Sequence, residues 1–207
     1  MRTDRRLLLA SHNQGKLREI GELLREIPLR IINLDDLQNL QAVQETGNTF
    51  VENASLKAAG YAKQTHLLTI ADDSGLEVKA LGGRPGVFSA RYAGPSASDE
   101  LRIQELLSEL SSLSPERRSA RFRCSVAVAD EDGEILHLSN GVCDGQIAIA
   151  PRGMGGFGYD PIFIPEGFQQ TFGELKREIK NQISHRARAL AGALEFLRSL
   201  TSCSKAG

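Results

Sequence analysis

The alternation of short apolar runs with segments of helical periodicity in the first third of the chain most constrains the fold. Arg6–Ser11, Leu29–Asn33 and Leu67–Ala71 are predicted strands, and leucine- or alanine-rich segments of helical spacing separate them. Further on, Arg121–Asp130 and Glu134–Ser139 predict a hairpin across an Asp-Gly turn. Strands that alternate with helices and then form a hairpin predict an α/β fold with a long mixed sheet flanked by helices.

Length and charge limit the organisation and the classes of function. The 207 residues carry a net charge of −1 and show no repeat or linker, so we expect one domain over residues 1–207, divided into two lobes around an active-site cleft. Near-zero charge argues against a nucleic-acid partner. The basic residues of the 117–123 segment are interpreted as a solvated edge strand.

Cysteine content and hydropathy indicate the compartment. Cys124, Cys143 and Cys203 are odd in number and lack metal-ligand spacing, so we expect buried or idle thiols in a reducing environment. The apolar run of residues 7–10 is too short for a signal or membrane segment. These features predict a cytoplasmic protein with no membrane partner.

The sequence Ala71-Asp72-Asp73-Ser74-Gly75 carries the strongest chemical signal. Two adjacent carboxylates at the mouth of a buried strand are costly to desolvate unless a cation or a proton compensates them. Magnesium bound together with substrate phosphates fits, because one or two carboxylates then suffice. Glu45 is the candidate second ligand, although a solvated loop glutamate remains an alternative, as does a simple turn cap for Asp72 and Ser74.

A polar turn follows the first predicted strand. Between the strand and the next helix stand Ser11, His12, Asn13, Gln14, Gly15 and Lys16. A helix N-terminus favours anions through its free N–H groups and its dipole, and Lys16 adds a positive charge. The turn lacks the pattern of a Walker A loop, and an ordinary strand-to-helix turn is the alternative.

Two later segments are candidates for binding a base and a sugar. In Gly155–Pro161 small residues permit close approach, Phe157 and Tyr159 offer flat surfaces, and Asp160 can accept hydrogen bonds. A tight loop with core aromatics is the alternative. His185 and Arg186 begin the last predicted helix, where cations oppose the dipole, so either a ligand or solvent compensates them.

Together these segments resemble the inosine triphosphate pyrophosphatase family. The resemblance covers residues 8 to 195 in the family's order and rests on six pieces: Asn13-x-Gly15-Lys16, Glu45-Thr46-Gly47-x-Thr49-Phe50-x-Glu52-Asn53-Ala54, Ala71-Asp72-Asp73-Ser74-Gly75-Leu76, Pro85-Gly86-Val87-x-Ser89-Ala90-Arg91-Tyr92, Gly156-Phe157-Gly158-Tyr159-Asp160-Pro161 and Ser184-His185-Arg186. Two positions depart from the family pattern, His12 beside the polar turn and Ile179 before Lys180.

The resemblance implies a homodimeric, magnesium-dependent enzyme that hydrolyses ITP, dITP and XTP to the monophosphate and pyrophosphate. It implies that Asp73 is the general base and a metal ligand, with Glu45 as the candidate second ligand. The residues implied in substrate binding are Ser11, His12, Asn13, Gln14, Gly15, Lys16, Ser74, Phe157, Gly158, Tyr159, Asp160, Lys180, His185 and Arg186.

Base selection follows from hydrogen-bond polarity. Hypoxanthine and xanthine present a 6-oxo acceptor, so donors from His185, Arg186 or backbone N–H groups would favour them over adenine. Two other functions are weighed: a Maf-like pyrimidine triphosphate pyrophosphatase, which needs a different base pocket, and a non-catalytic nucleotide-binding module, which the acidic pair disfavours.

Overall fold

A computed structural model describes residues 5–203, with the side chain of Cys203 outside the described part. The strands are β1 (Arg6–Leu9), β2 (Arg30–Asn33), β3 (Leu68–Val78), β4 (Ser119–Ala129), β5 (Ile135–Ile147) and β6 (Phe163–Pro165). The helices are α1 (Gln14–Leu23), α2 (Phe50–Thr65), α3 (Asp99–Glu109), α4 (Arg177–Ile183) and α5 (His185–Cys203).

The strands form one mixed sheet in the order β2-β1-β3-β4-β5-β6. Strand β1 is parallel to both β2 and β3, as connections through helices require. Strands β5 and β6 are antiparallel. The predicted α/β class with a mixed sheet is therefore confirmed.

Side-chain caps fix where the helices begin. The Asn13 Oδ1 atom accepts a hydrogen bond from the Lys16 amide at 3.0 Å and starts α1. Thr49 and Glu52 form a capping box at the start of α2, and the spacing of these two residues in the sequence is typical of one. Ser98 caps α3, with its Oγ atom 3.3 Å from the Leu101 nitrogen. These caps satisfy amide groups that otherwise lack a partner in the first turn.

The chain divides into two compact units. The first comprises the described residues up to Asp73, Cys124–Gly141 and the chain from Arg186 onward. Its strands bury both faces: Leu7, Leu9 and Ile70 pack with α1 and α5, whereas Leu8, Ala10 and Ala71 pack with α2. Because strand residues alternate between faces, Asp72 continues the α1 and α5 face, and Asp73 continues the α2 face.

The second unit comprises Ser74–Arg123 and Val142–His185. Its core packs Phe122 against Phe163, with ring centroids 4.7 Å apart, and Phe163 against Phe172, at 5.3 Å. Leucine and isoleucine side chains of α3 complete this cluster. The aromatic cluster therefore packs β4 against β6 and against the segment that follows β6.

The interpretation of residues 117–123 as an edge strand is wrong, although Arg117 and Arg121 are exposed to solvent as expected. Strand β4 stands between β3 and β5 in the sheet, where both of its edges are hydrogen-bonded. Arg118 is 4% exposed and donates to the Leu110 carbonyl at 2.8 Å and the Leu113 carbonyl at 3.1 Å. Arg121 pairs with Glu77 at 2.6 Å. Arg118 therefore binds backbone carbonyl groups of other segments, and Arg121 binds a carboxylate.

Several element boundaries also differ from the predictions. Strand β3 continues through Asp72 and Asp73 to Val78, so the carboxylates lie inside the strand. Strand β5 continues beyond the predicted Ser139 to Ile147, and β6 and α4 were not predicted. Cys124 and Cys143 are buried free thiols, as expected. Among residues 5–203, no helix is both long enough and apolar enough to cross a bilayer.

Candidate active site

Two adjacent carboxylates of β3 lie at the centre of the first unit. Asp72 is 2% exposed and Asp73 is 6% exposed. A buried carboxylate needs a counter-charge to stay ionised. The helices on the two faces of the strand supply different counter-charges, and the pKa values of the two aspartates consequently shift in opposite directions.

Asp72 is held by two cations from the helices on its face. Its Oδ2 atom lies 3.1 Å from the Lys16 ammonium and 3.3 Å from Nε of Arg186. Burial by itself raises the pKa of Asp72, but the charges of Lys16, Arg186 and Lys57 outweigh it and hold that pKa well below the usual range. Asp72 is therefore an ionised carboxylate at neutral pH.

Arg186 links this centre to helix α1. Its Nη1 atom pairs with the buried carboxylate of Glu19, and its Nε atom reaches Asp72. Although burial opposes its charged form, Asp72 and Glu19 raise the pKa of Arg186 above its ordinary value. The carboxylates of Asp72 and Glu19 thus compensate the charge of Arg186, where the sequence suggested a ligand or solvent.

Asp73 faces α2 and shares a cation with Glu45. The Lys57 ammonium lies 3.6 Å from Oδ1 of Asp73 and 3.1 Å from Oε2 of Glu45. Burial raises the pKa of Asp73 above its ordinary value, although Lys57 and Lys16 oppose the shift. Burial lowers the pKa of Lys57, but the carboxylates of Asp73, Asp72 and Glu45 more than offset it, so that pKa is raised. The two predicted metal ligands therefore converge on one positive charge.

The N-terminal turn of α2 positions Glu45. The Gly47 amide donates to the Asn53 side chain at 2.8 Å, and a Cβ atom at Gly47 would lie 2.6 Å from Cβ of Glu52. Only glycine permits this approach. One turn further along the helix, Lys57 follows Asn53 by four residues and meets the same loop.

The predicted phosphate turn lies at the N-terminus of α1. The Asn13 amide donates to the Ser11 hydroxyl at 3.2 Å, and Gly15 is buried while residues 12–14 are exposed. His12 lies 3.5 Å from Asp35. Lys16, in the first turn of α1, connects this turn to Asp72. Through Lys16, the exposed N-terminus of α1 is thus connected to the buried Asp72.

The donor set of Asp73 and Glu45 fits a hard divalent cation. Two carboxylates already meet one ammonium ion, and magnesium in nucleotide sites commonly takes one or two carboxylates together with phosphate oxygens and water. Within the described residues, no group of three or more histidine, cysteine or acidic side chains has a metal-binding arrangement. The chain would therefore supply two ligands, and the substrate and solvent would supply the others.

In the second unit, the loop Gly156–Asp160 is held by carboxylates. The Phe157 amide donates to Oδ2 of Asp160 at 2.8 Å, and the Gly158 amide donates to Oδ2 of Asp99 at 2.6 Å. Gly156 has a φ of +76°, and a Cβ atom there would overlap the Asp160 carboxylate. The loop therefore has one closely determined backbone path.

Lys180 and His185 are buried beside aromatic rings. The Lys180 ammonium pairs with Asp160 and lies 4.9 Å from the centre of the Phe157 ring. The His185 ring stacks on Phe122, with centroids 4.6 Å apart and planes at 11°. Asp160 thus joins the loop amide of Phe157 to a buried cation.

Comparisons with known proteins identify the family. The Ham1 family model matches residues 7–196. The chain belongs to the Ham1 family. Curated relatives named dITP/XTP pyrophosphatase include one from Desulforamulus reducens, 46% identical over 195 residues that span 94% of this chain and 96% of the relative. Another, from Bacillus subtilis strain 168, is 46% identical over 93% of this chain and 96% of its own length.

Solved Ham1 structures agree with the fold. The HAM1 protein from Coxiella burnetii gives a TM-score of 0.85 at 45% identity, over 94% of this chain and 99% of that chain. The Staphylococcus aureus Ham1 protein gives 0.83 at 40% identity, with the same coverage. The family membership predicted from the six motifs is confirmed.

The structure brings the predicted residues together in two groups. In the first unit, Lys16, Glu45, Asp73 and Arg186 are joined directly or through Asp72 and Lys57. In the second unit, Phe157 and Lys180 are joined through Asp160, while Ser74 is half-buried in β3.

Sequence reasoning missed Lys57, Glu19 and Asp99. The signal for Lys57 was available, because it is a charged residue on the face of α2 that carries the apolar residues Phe50, Ala54, Ala58 and Tyr61 at helical spacing. Glu19 likewise occupies a buried position on α1. No local pattern identifies Asp99, since its partner Gly158 is 59 residues away.

Proposed function

We propose that this Ham1-family chain is a magnesium-dependent nucleoside triphosphate pyrophosphohydrolase. It hydrolyses the non-standard purine nucleotides dITP, XTP and ITP to the monophosphate and pyrophosphate. Relatives that share nearly half of its residues over almost the whole chain are named dITP/XTP pyrophosphatase, which supports this substrate class.

The convergence of Asp73 and Glu45 on the Lys57 ammonium carries the proposal. A buried carboxylate pair that already binds one positive charge is suited to a divalent cation, which would polarise the phosphate and offset its developing negative charge. Lys57 keeps the two carboxylates at one place on the α2 face, so that the ligand geometry is prepared in advance.

Asp73 is proposed as the general base. Attack on the α-phosphorus requires removal of a proton from water, and a base works best when its pKa approaches the working pH. Burial raises the pKa of Asp73 above its ordinary value, whereas a divalent cation bound to the same carboxylate would lower that pKa and keep the base ionised. Asp72, whose pKa is shifted the opposite way, is suited to hold cations and not to exchange protons.

The turn of residues 11–16 is proposed to bind phosphates. Residues 12–14 at the N-terminus of α1 are exposed to solvent, and the helix dipole favours negative charge there. Lys16 adds a cation that Asp72 holds at 3.1 Å. An arriving phosphate would share this lysine with Asp72, since an ammonium group has three N–H donors.

Residues of the second unit are proposed to bind the base. Phe157 offers a ring for stacking, and the Lys180–Asp160 pair presents both a donor and an acceptor next to it. The Phe157 and Gly158 amides donate to carboxylates. We therefore assign recognition of the 6-oxo group to side chains, and we propose supporting roles for Tyr159 and His185. Arg186, also a candidate, belongs to the first unit, where it pairs with Asp72 and Glu19.

The assembly and location that the resemblance implies are also proposals. We propose a homodimer in the cytoplasm that acts on small nucleotides, without a nucleic-acid or membrane partner. Size-exclusion chromatography with light scattering tests the assembly, since a dimer has twice the 22.5 kDa mass of the chain.

A substrate panel tests the activity. Purified protein is incubated with dITP, XTP, ITP, GTP and ATP at equal concentration, and 31P NMR identifies the products. We expect pyrophosphate and monophosphate from the first three, at rates at least about 100-fold above those for ATP. Omission of magnesium, or excess chelator, should abolish turnover. Release of inorganic phosphate in place of pyrophosphate, or equal rates on ATP, would contradict the proposal.

A further inference from the structure

The segment between β3 and α3 contains a buried serine that joins two parts of the second unit. Ser89 is 7% exposed and lies in a short 3-10 helix, Gly86–Arg91. The proposed function assigns this segment no role, although it carries one of the six sequence motifs. Its contacts lead to β3, the strand that carries Ser74, and to the loop Gly156–Asp160, which is called the base loop below.

Toward β3, the Ser89 side chain satisfies a backbone amide. Its Oγ atom accepts a hydrogen bond from the Leu76 nitrogen at 2.9 Å and donates to the Gly86 carbonyl at 2.6 Å. Leu76 is fully buried, and it follows Ser74 by two residues on β3. A buried amide without an acceptor costs about 1–3 kcal/mol, so this bond fixes the short helix against the strand.

Toward the base loop, the Ser89 backbone supplies an acceptor. The Tyr159 hydroxyl donates to the Ser89 carbonyl at 3.0 Å, and the Tyr159 side chain is 4% exposed. Tyr159 stands between Gly158 and Asp160, the two loop residues whose backbone and side chain are tied to Asp99 and Lys180. Movement of Ser89 would therefore be transmitted to the loop.

We propose that Ser89 and Tyr159 form a positioning relay. The relay fixes the position of the base loop relative to β3 and so sets the affinity for the nucleobase. The relay consists of the Leu76 amide, the Ser89 hydroxyl and carbonyl, and the Tyr159 hydroxyl. It rests on the proposed function for its link to nucleotide affinity. Ser89 is a positioning residue, because it acts through Tyr159.

Hydrogen exchange tests the relay without nucleotide. In Ser89→Ala the Leu76 amide loses its acceptor, and the relay predicts faster exchange at the Phe157 and Gly158 amides as well, by about 3- to 10-fold. Ser89→Thr retains a hydroxyl and should restore protection. Faster exchange at Leu76 alone, with the loop amides unchanged, would overturn the relay.

Kinetics test its effect on affinity. Tyr159→Phe removes only the hydroxyl, so we expect KM for ITP to rise about 3- to 10-fold with kcat within about twofold. Tyr61→Phe is the matched control, because it also removes a buried tyrosine hydroxyl, which in the first unit meets the Val43 nitrogen at 3.5 Å, and its KM should be unchanged. The double variant with Ser89→Ala should show less than the sum of the separate effects.

The outcomes separate the two proposals. If the wild-type chain hydrolyses ITP and Tyr159→Phe has an unchanged KM, the relay is wrong and the proposed function stands. If the wild-type chain hydrolyses none of the nucleotides, the proposed function is wrong, and so is the link of the relay to base affinity. If Ser89→Ala fails to fold, Tyr159→Phe decides, since both exchange at Gly158 and KM can be measured on it.

Discussion

Asp72 and Asp73, the acidic centre of the first unit, are stabilised by charged side chains, whereas the base loop of the second unit is stabilised through its backbone. Long charged side chains surround Asp72 and Asp73, and each carboxylate is served by a lysine or an arginine from a helix. In the loop Gly156–Asp160, backbone amides donate to carboxylates, and a glycine at positive φ fixes the path. Flexible cations surround the acidic centre, whereas backbone hydrogen bonds fix the loop.

This difference suits what each region is proposed to do. A lysine can turn from a carboxylate toward an arriving phosphate without moving the backbone, because its four-carbon stem has several rotamers. A surface for a flat base must instead keep its shape, since a misplacement of about 1 Å weakens recognition. We therefore expect substitutions in the first region to affect chemistry and charge balance, and those in the second to affect affinity.

The largest expected effect is at Asp73. Asp73→Asn keeps the shape of the side chain but removes its basicity and one metal ligand, so kcat on ITP should fall about 10²- to 10⁴-fold. Steady-state pyrophosphate release measures this, with circular dichroism to confirm folding. Asp132→Asn, an exposed aspartate in the turn between β4 and β5, is the control. A kcat within tenfold of wild type would remove Asp73 from the role of base.

Next in size is the loss of stability expected at Asp72. Asp72→Asn leaves the buried Arg186 and the half-buried Lys16 with less compensation, so the free energy of unfolding at pH 7 should fall by about 3 kcal/mol. The native pKa of Asp72 is below its ordinary value of 3.8, so its contribution is fully present above pH 3.8 and is lost as the pH falls further.

Urea unfolding across pH tests this linkage. The difference between wild type and Asp72→Asn should be constant from pH 7 to about pH 5 and should shrink below pH 3.8. A difference that grows on acidification would show that Asp72 is not ionised in the native state.

A smaller effect is expected in the loop. Gly156→Ala places a Cβ atom against the Asp160 carboxylate at a positive φ, and KM for ITP should rise at least about tenfold with less change in kcat. Gly167→Ala is the matched control, because Gly167 also has a positive φ (83°) but no atom lies within 4 Å of its added Cβ. Equal effects at both sites would assign the loss to backbone strain alone.

The smallest effect is expected at Asp99. Asp99→Ala removes the acceptor of the Gly158 amide but leaves Asp160 and Tyr159 in place, so KM should rise only about two- to fivefold. Glu100→Gln, at the next position of α3, is the control and should match wild type. A change in kcat larger than the change in KM would contradict a role limited to the loop.

Sequence reasoning predicted the fold well where one local signal determines an element. Local signals predict three helices that the structure contains. The polar turn with Asn13 precedes α1, the Thr49–Glu52 spacing is that of a capping box at α2, and apolar residues recur at helical spacing in α5. It failed at Arg118, where a basic residue suggested solvent although the side chain caps carbonyl groups of two distant segments. Such burial depends on tertiary contacts that no local pattern encodes.

For the candidate site, residue types were more predictable than partners. The acidic pair was recognised because its desolvation cost follows from the strand that precedes it. The opposite pKa shifts of Asp72 and Asp73 depend on which helix faces each side chain, and Lys16, Lys57 and Arg186 come from α1, α2 and α5. These assignments require the sheet order.

The thiol of Cys124 offers an internal reporter of opening in the first unit. It is buried 3.8 Å from Oδ2 of Asp72, and burial raises its pKa well above the ordinary value. Because the thiolate is the species that reacts with alkylating reagents, the native protein should resist modification at this position. Labelling of Cys124 would then record how often the interior around Asp72 becomes accessible to solvent, in a chain whose composition includes no tryptophan to serve as an optical probe.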